Sequence, residues 1–158
     1  MNLLYTYPET IVDGDGIRFS IYFAGCPHRC KGCHNEQGQD PKSGTPLTDE
    51  KLSDIIKEVN NNPLLDGITL SGGDPFFNPS EMLPIVERLK KETGLSIWCY
   101  TGFLIEQLLK RSECVLILKH IDVLVDGLFI QSKYSPTLNF RGSSNQRILR
   151  VAHYLKQS

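Results

Sequence analysis

Short apolar runs alternate with segments of helical spacing along the chain. The run from Arg18 to Ala24 is rich in β-branched and aromatic residues, which predicts a strand that ends at Gly25. Three further strands are predicted at residues 67–70, 96–100 and 123–125. Apolar residues three and four positions apart predict helices at residues 48–59, 78–94, 105–109 and 146–155. Residues 114–120 are compatible with either a strand or a helix.

Two of the predicted helices have clear starting signals. Thr48 is a residue type that caps helices, and the acidic residues after it suit the positive end of a helix. At the second helix, Asn78 is a cap residue, Pro79 occupies the first helical position and Glu81 has capping-box spacing. Gly94 is expected to end this second helix.

The alternation of strands and helices predicts an α/β fold with mostly parallel strands. The chain has 158 residues, whereas a closed eight-unit barrel needs about 250 residues. We therefore expect a single domain, residues 1–158, built as an open partial (β/α) barrel. In such folds the functional site forms at the carboxyl ends of the strands.

Composition and charge narrow the function classes. Hydrophobic residues make up 40% and charged residues 22% of the chain, which is typical of a globular domain. The net charge is −1 and no basic stripe is visible, so nucleic acid is not expected as a partner. No apolar run reaches the roughly 20 residues of a membrane span, and the first residues lack a signal-peptide pattern. A cytoplasmic location without membrane association is expected.

Three cysteines lie within eight residues, with the spacing C-x-x-x-C-x-x-C, at Cys26, Cys30 and Cys33. In the cytosol such clusters more often bind metals than form disulfides. A structural zinc site could use these thiols together with His28 or His34. The stretch from Cys30 to His34 also matches a c-type haem site, although that reading needs export and leaves Cys26 unexplained. A thioredoxin-like pair is a weaker alternative, since a third thiol lies beside it.

An iron–sulfur cluster is the remaining reading. Such clusters usually take four cysteine ligands, so three leave one iron open. Cys99 and Cys114 lie in apolar segments, where a buried structural role is expected. An open metal position is where a substrate binds in catalytic metal sites.

A second chemically unusual loop, Ser71 to Pro75, directly follows a predicted strand, as the cysteine loop does. The two loops are therefore expected at the same edge of the sheet. Gly72 and Gly73 would allow close backbone approach at this edge. Taken alone, this segment is better explained as a turn before a helix.

Together these motifs resemble the radical S-adenosylmethionine enzymes. Within that superfamily the chain is similar to the glycyl-radical activating enzymes. The similarity rests on the cysteine spacing, the glycine-rich loop at residues 71–75, and the segments at residues 13–18, 33–35, 101–102, 122–127 and 141–146.

The resemblance implies a radical-SAM type of partial barrel with two cofactors. Cys26, Cys30 and Cys33 would hold one [4Fe–4S] cluster, and S-adenosyl-L-methionine would chelate its fourth iron. The expected contacts to S-adenosylmethionine are Gly32, Cys33, His34, Gly72, Gly73 and Asp74. Reductive cleavage would then give a 5′-deoxyadenosyl radical that takes a hydrogen atom from a glycine of the partner.

The resemblance also implies partners. The expected target is the large subunit of an anaerobic ribonucleoside-triphosphate reductase, and the electron donor a protein such as a flavodoxin. Activation of pyruvate formate-lyase is the alternative, because His34 and the run at residues 13–18 lean toward its activators. A non-catalytic iron–sulfur or zinc module is an alternative of another class. Asp126 and residues 141–146 could contact the site or merely form a turn and cap the last helix.

Overall fold

The computed structural model describes residues 1–28, 30, 32 and 36–155. Seven strands in these residues form one open sheet in the order β3-β1-β2-β4-β5-β6-β7. The strands are β1 Asn2–Thr10, β2 Arg18–Phe23, β3 Thr45–Pro46, β4 Gly67–Gly72, β5 Ser96–Tyr100, β6 Val123–Asp126 and β7 Arg147–Arg150. The helices are α1 Asp49–Asn60, α2 Pro79–Thr93, α3 Ile105–Leu108, α4 Ser112–Leu118 and α5 Val151–Leu155.

The centre of the sheet is parallel and its edges are antiparallel. Strands β2, β4, β5 and β6 run parallel, with Ile21 opposite Leu70 and Leu70 opposite Cys99. Strands β1 and β3 add an antiparallel edge beside β2, and β7 adds another beside β6. The predicted α/β fold with mostly parallel strands is confirmed for the centre of the sheet, which is not closed. The antiparallel edges were not predicted.

The helices of the described chain lie on one face of the sheet. Their buried residues share one apolar cluster with alternate residues of the strands, including Phe19, Ile21 and Phe23 of β2. The parallel strands follow one another in chain order, and right-handed crossovers then place each connecting helix on the same side. The opposite face carries no α-helix in the part of the chain described, and we call it the helix-free face.

Only some of the predicted signals for the start and end of helices are confirmed by the structure. Thr48 caps α1 as predicted, since its side chain accepts a hydrogen bond from the backbone of Lys51. Gly94 ends α2 in the left-handed conformation. The predicted capping box at α2 is wrong, because the side chain of Asn78 makes no capping hydrogen bond. Residues 112–118 form α4, so most of the ambiguous stretch at residues 114–120 is helical.

The predicted C-terminal helix at residues 146–155 is largely wrong. Residues 147–150 form β7 and only residues 151–155 are helical. Ile148 and Leu149 lie opposite Val125 and Leu124 of β6, so pairing with a free sheet edge decides the conformation.

None of the helices in the described residues has the length and apolar character that a membrane span requires.

The helix-free face carries polar and aromatic side chains. Asp13, in the segment between β1 and β2, accepts hydrogen bonds from Ser20 at 2.9 Å and from the hydroxyl of Tyr22. Nearer β6, Trp98 packs edge-on against Phe140, with ring centroids 5.4 Å apart. Segments from both ends of the chain thus line this face.

Arg18 is buried at the amino ends of the parallel strands. Its guanidinium donates to the backbone carbonyls of Asp15 at 3.0 Å and of Ile68 and Ser96 at 2.9 Å. It also lies 5.6 Å from the ring centre of Trp98. Burial lowers the pKa of this guanidinium, and nearby carboxylates such as Asp15 oppose the shift. Arg18 thereby ties three neighbouring strands together.

Candidate active site

The cysteine loop and the glycine-rich loop meet at the carboxyl edge of the parallel strands. The backbone of Gly73 donates to Phe23 and that of Asp74 donates to Gly25, both at 2.7 Å. Gly25 in turn donates to Gly38 at 2.6 Å. The start of the cysteine loop is therefore held on two sides by backbone hydrogen bonds. The predicted proximity of the two loops is confirmed.

A cavity of about 120 Å³ lies where these loops meet. Cys26, Cys30, Gly72 and Gly73 line it, together with residues that follow β5 and β6. A wider cavity of about 630 Å³ on the helix-free face shares Gly72 and Tyr100 with it. The site thus continues from the cysteine loop into an open cleft.

The wider cleft has a wall of tyrosines that no sequence motif predicted. The rings of Tyr5 and Tyr22 lie 4.7 Å apart and those of Tyr7 and Tyr22 lie 5.6 Å apart. Burial, followed by the hydrogen bond to Asp13, raises the pKa of Tyr22. Burial likewise raises the pKa of Tyr100. These phenols therefore stay protonated at neutral pH and present an uncharged aromatic surface.

Gly72 and Gly73 are required by the packing of the chain itself. A Cβ on Gly72 would lie 2.3 Å from the backbone nitrogen and oxygen of Phe23. A Cβ on Gly73 would lie 2.4 Å from the carbonyl oxygen of Gly25 and 2.5 Å from that of Gly38. The two glycines therefore allow the strand ends and the cysteine loop to approach closely, whatever else binds beside them.

The carboxylate of Asp74 is fully buried and accepts from four groups. The backbone nitrogens of Phe76 and Gly102 donate at 2.9 Å, and the hydroxyl of Thr101 lies 2.9 and 3.0 Å from the two oxygens. The ring of His28 completes the set, with Nε2 2.7 Å from Oδ2. Asp74 therefore joins three loops at the edge of the sheet.

The thiols of the described residues differ sharply in environment. Cys26 and Cys30 are half-buried beside the small cavity. Cys99 and Cys114 are buried in the apolar core, as predicted, and burial raises the pKa of both. Cys33 and His34, which the sequence also assigns to the site, lie outside the described residues.

The donor set fits an iron–sulfur cluster. Thiolates are the usual ligands of such clusters, and two of the three predicted thiols already border one cavity. Gly32, also predicted for the site, has a positive φ of 75° and lies close to the side chain of Gln131. Among the described cysteines, Cys26 and Cys30 line this cavity, whereas Cys99 and Cys114 do not.

Comparison with known proteins agrees with this geometry. The family described as "4Fe-4S single cluster domain" matches residues 12–149. The chain is 39% identical to the anaerobic ribonucleoside-triphosphate reductase-activating protein of Haemophilus influenzae, covering 95% of this chain and 98% of that protein. It is also 39% identical to the protein of that name in Escherichia coli K12, covering 99% and 100%, and 33% identical to that of phage T4, covering 94% and 93%.

The chain belongs to the family of anaerobic ribonucleoside-triphosphate reductase-activating proteins. The predicted family resemblance and the predicted 4Fe–4S cluster domain are thereby confirmed. The match spans nearly the whole chain, so the activating-protein family covers both the cysteine loop and the segments at residues 122–127 and 141–146.

Two segments that resemble the activating proteins have structural partners in this chain. The buried carboxylate of Asp126 accepts from the backbone of Ile105 at 2.8 Å and from two nitrogens of Arg147 at 2.6 and 2.9 Å. Residues 141–146 form a turn in which the side chain of Gln146 accepts from the backbone of Gly142. The alternative that residues 144 or 145 cap a helix is wrong, since a strand follows.

Proposed function

We propose that this protein activates an anaerobic ribonucleoside-triphosphate reductase by radical chemistry on S-adenosylmethionine. The observation that carries the proposal is that Cys26 and Cys30 border the same cavity as Gly72 and Gly73. A 4Fe–4S family match over residues 12–149 and relatives named for reductase activation support it. The protein is accordingly a glycyl-radical activating enzyme, and its sheet is the open barrel of a radical-SAM domain.

The proposed cluster ligands are Cys26, Cys30 and Cys33. When bound, the cluster and S-adenosylmethionine would supply the one-electron chemistry that removes a hydrogen atom from a glycine Cα of the partner. The chain contributes orientation and a dry site. Backbone bonds at Gly25 and Gly73 fix the start of the cysteine loop against the strand ends. Preorganised ligands of this kind lower the reorganisation needed for reaction.

S-adenosylmethionine is proposed to bind along the edge formed by the two loops, near Gly32, Cys33, His34, Gly72, Gly73 and Asp74. Gly72 has a φ of 108°, and its neighbour Gly73 also lacks a side chain on the cavity wall. Both glycines line the cavity beside Cys26 and Cys30, so a ligand there would meet their backbone atoms. Asp74 lies directly behind this wall, where its carboxylate holds the loops in register.

The reductase would reach the site from the helix-free face. The wider cleft of about 630 Å³ is open on this side and adjoins the cysteine cavity. Its aromatic wall is uncharged and includes Tyr5 and Tyr7, which are 42% and 52% exposed. A segment of the large subunit that carries the target glycine could lie there. We propose a flavodoxin-like protein as the electron donor.

The proposal is tested by anaerobic reconstitution followed by electron paramagnetic resonance. With a reductant, S-adenosylmethionine and the reductase, the protein should bind about four irons and generate a glycyl-radical doublet on the large subunit. Cys30→Ala should abolish both, whereas Cys114→Ala, a buried thiol in α4, should retain the cluster. A doublet on pyruvate formate-lyase alone would refute the choice of partner, and no doublet on either would refute the function.

A zinc-binding module is the second candidate, because ligand atoms of Cys26, His28 and Asp74 all lie within 4.8 Å of one another. The carboxylate of Asp74 is already occupied by hydrogen-bond donors, which makes it a poor additional ligand. This candidate would be favoured if the purified protein held zinc stably in air, bound no iron after reconstitution and did not respond to S-adenosylmethionine.

A further inference from the structure

The cysteine loop carries a histidine that contacts two other loops. His28 lies between Cys26 and Cys30 in sequence, and its side chain is only 12% exposed. Its Nε2 lies 2.7 Å from Asp74, in the glycine-rich loop after β4. Its ring packs edge-on against Phe103, beyond β5, with centroids 4.5 Å apart. A single side chain therefore connects the cysteine loop with the loops after two neighbouring strands.

The ring of His28 fits a space that only glycine leaves open. A Cβ on Gly102 would lie 2.5 Å from Cδ2 of His28 and 2.7 Å from Nε2. The backbone nitrogen of Gly102 also donates to the same oxygen of Asp74 that faces His28. The ring is thus held by a hydrogen bond, by an aromatic edge and by close steric contact.

The hydrogen bonds of Asp74 define what its carboxylate does. An ionised carboxylate offers about four lone-pair positions. Four groups already occupy them: Phe76 N, Thr101 Oγ1, Gly102 N and His28 Nε2. An ammonium group of a ligand could bind only by displacing one of these donors. The carboxylate is therefore engaged in orienting His28 rather than left open for a ligand.

We propose that His28, oriented by Asp74 and seated against Gly102 and Phe103, is a positioning residue that fixes the cysteine loop for cluster binding. The inference rests on the proposed function, since it concerns the cluster held by the same loop. Partners that orient metal ligands typically contribute 10- to 100-fold to metal affinity. His28 is a partner of this type. It is hydrogen-bonded to a buried carboxylate and lies two residues from Cys26 and two from Cys30.

The test compares iron release and spectra of histidine variants after anaerobic reconstitution. His28→Phe keeps an aromatic ring beside Phe103 but removes the donor to Asp74, so iron should be lost to a chelator about 10-fold faster. Its reduced-cluster paramagnetic resonance spectrum without S-adenosylmethionine should also change. His28→Gln retains a donor and should restore most of the wild-type behaviour. His153→Gln, an exposed histidine of α5, is the matched control and should match wild type.

Gly102→Ala provides an independent variant that leaves His28 in the sequence. Its methyl group should displace the ring and reproduce the spectral change of His28→Phe. Thermal unfolding of the metal-free variants checks that they fold. Wild-type iron release and spectra in both His28→Phe and Gly102→Ala would overturn the inference.

The remaining outcomes are also decisive. If His28→Phe bound S-adenosylmethionine more tightly and released iron at the wild-type rate, the inference would be overturned. His28 would then occupy space in the S-adenosylmethionine site and would not position the cysteine loop. A wild-type protein that binds no cluster would contradict the proposed function and this inference together. A cluster in wild type that is indifferent to residue 28 contradicts only the inference.

Discussion

Replacing Gly73 by alanine tests whether the contact between the two loops is as tight as the structure shows. The new methyl carbon would lie 2.4 Å from Gly25 O and 2.5 Å from Gly38 O. Both obstacles are backbone atoms, so no side-chain rotation can relieve the clash. The cysteine loop or the turn at residues 36–39 must move, and the hydrogen bonds of Gly73 and Asp74 to β2 and Gly25 weaken with it.

The expected cost follows from overpacking, which destabilises proteins by about 1–3 kcal/mol. For a chain of this size each kcal/mol lowers the melting temperature by roughly 2–4 °C, so Gly73→Ala should melt about 2–12 °C lower. The displaced cysteine loop should also retain less iron after reconstitution. Thermal unfolding of the metal-free protein and iron content after desalting are the two measurements.

Gly94→Ala is the matched control for this prediction. Gly94 has a φ of 67°, but a Cβ there would meet nothing within 4 Å. Its cost is therefore conformational, about 1 kcal/mol, and it lies at the end of α2, outside the site. We expect normal iron content in Gly94→Ala. Wild-type stability and iron content in Gly73→Ala would show that the loops are not in the contact described.

Three further changes test other parts of the structure. Asp126→Asn removes the buried charge that accepts from Arg147 and should cost about 1.5–3 kcal/mol in urea unfolding. Glu106→Gln, at the exposed end of the same network, should cost less than about 1 kcal/mol. Equal losses would contradict the difference in burial between the two carboxylates. Burial and the bond to Asp13 raise the pKa of Tyr22, so the folded state keeps a proton that the unfolded state loses above about pH 10. Stability should fall as the pH rises beyond that value, and less steeply in Tyr22→Phe; parallel profiles would refute this. Cys99→Ala should lose stability but keep the full iron content, and iron loss without unfolding would instead make Cys99 a ligand.

Much of the central sheet could be predicted because its strands are apolar on both faces or bounded by glycine. Strand β1 was missed, since much of it is exposed at a sheet edge and its sequence shows no clear alternation. Strand β7 was predicted as helix because Ile148 and Leu149 fit either periodicity. Its conformation depends on hydrogen bonds to β6, a long-range contact that local patterns do not contain.

The position of the site could be predicted from the sequence, but the hydrogen bonds between its side chains could not. Two loops that follow parallel strands must share an edge, so the meeting of Cys26 with Gly72 and Gly73 could be inferred. The partner of His28 could not, because Asp74 lies 46 residues away and only the folded sheet brings the two together. The sequence pattern indicated His28 only as a possible zinc ligand. The glycine at position 102 was the available signal, but its meaning depends on the ring beside it.

The buried position of Arg18 shows that the two ends of the sheet differ in role: one is structural and the other carries the site. The segment at residues 13–18 resembles a motif of activating enzymes, yet its arginine lies at the end of β2 opposite the cysteine loop, about 20 Å away along the strand. There it binds carbonyls of neighbouring strands. Amide hydrogens near this anchor should exchange more slowly than those in the loops of the carboxyl edge. Arg18 thus joins the strands at their amino ends, whereas the carboxyl ends carry the loops that form the site.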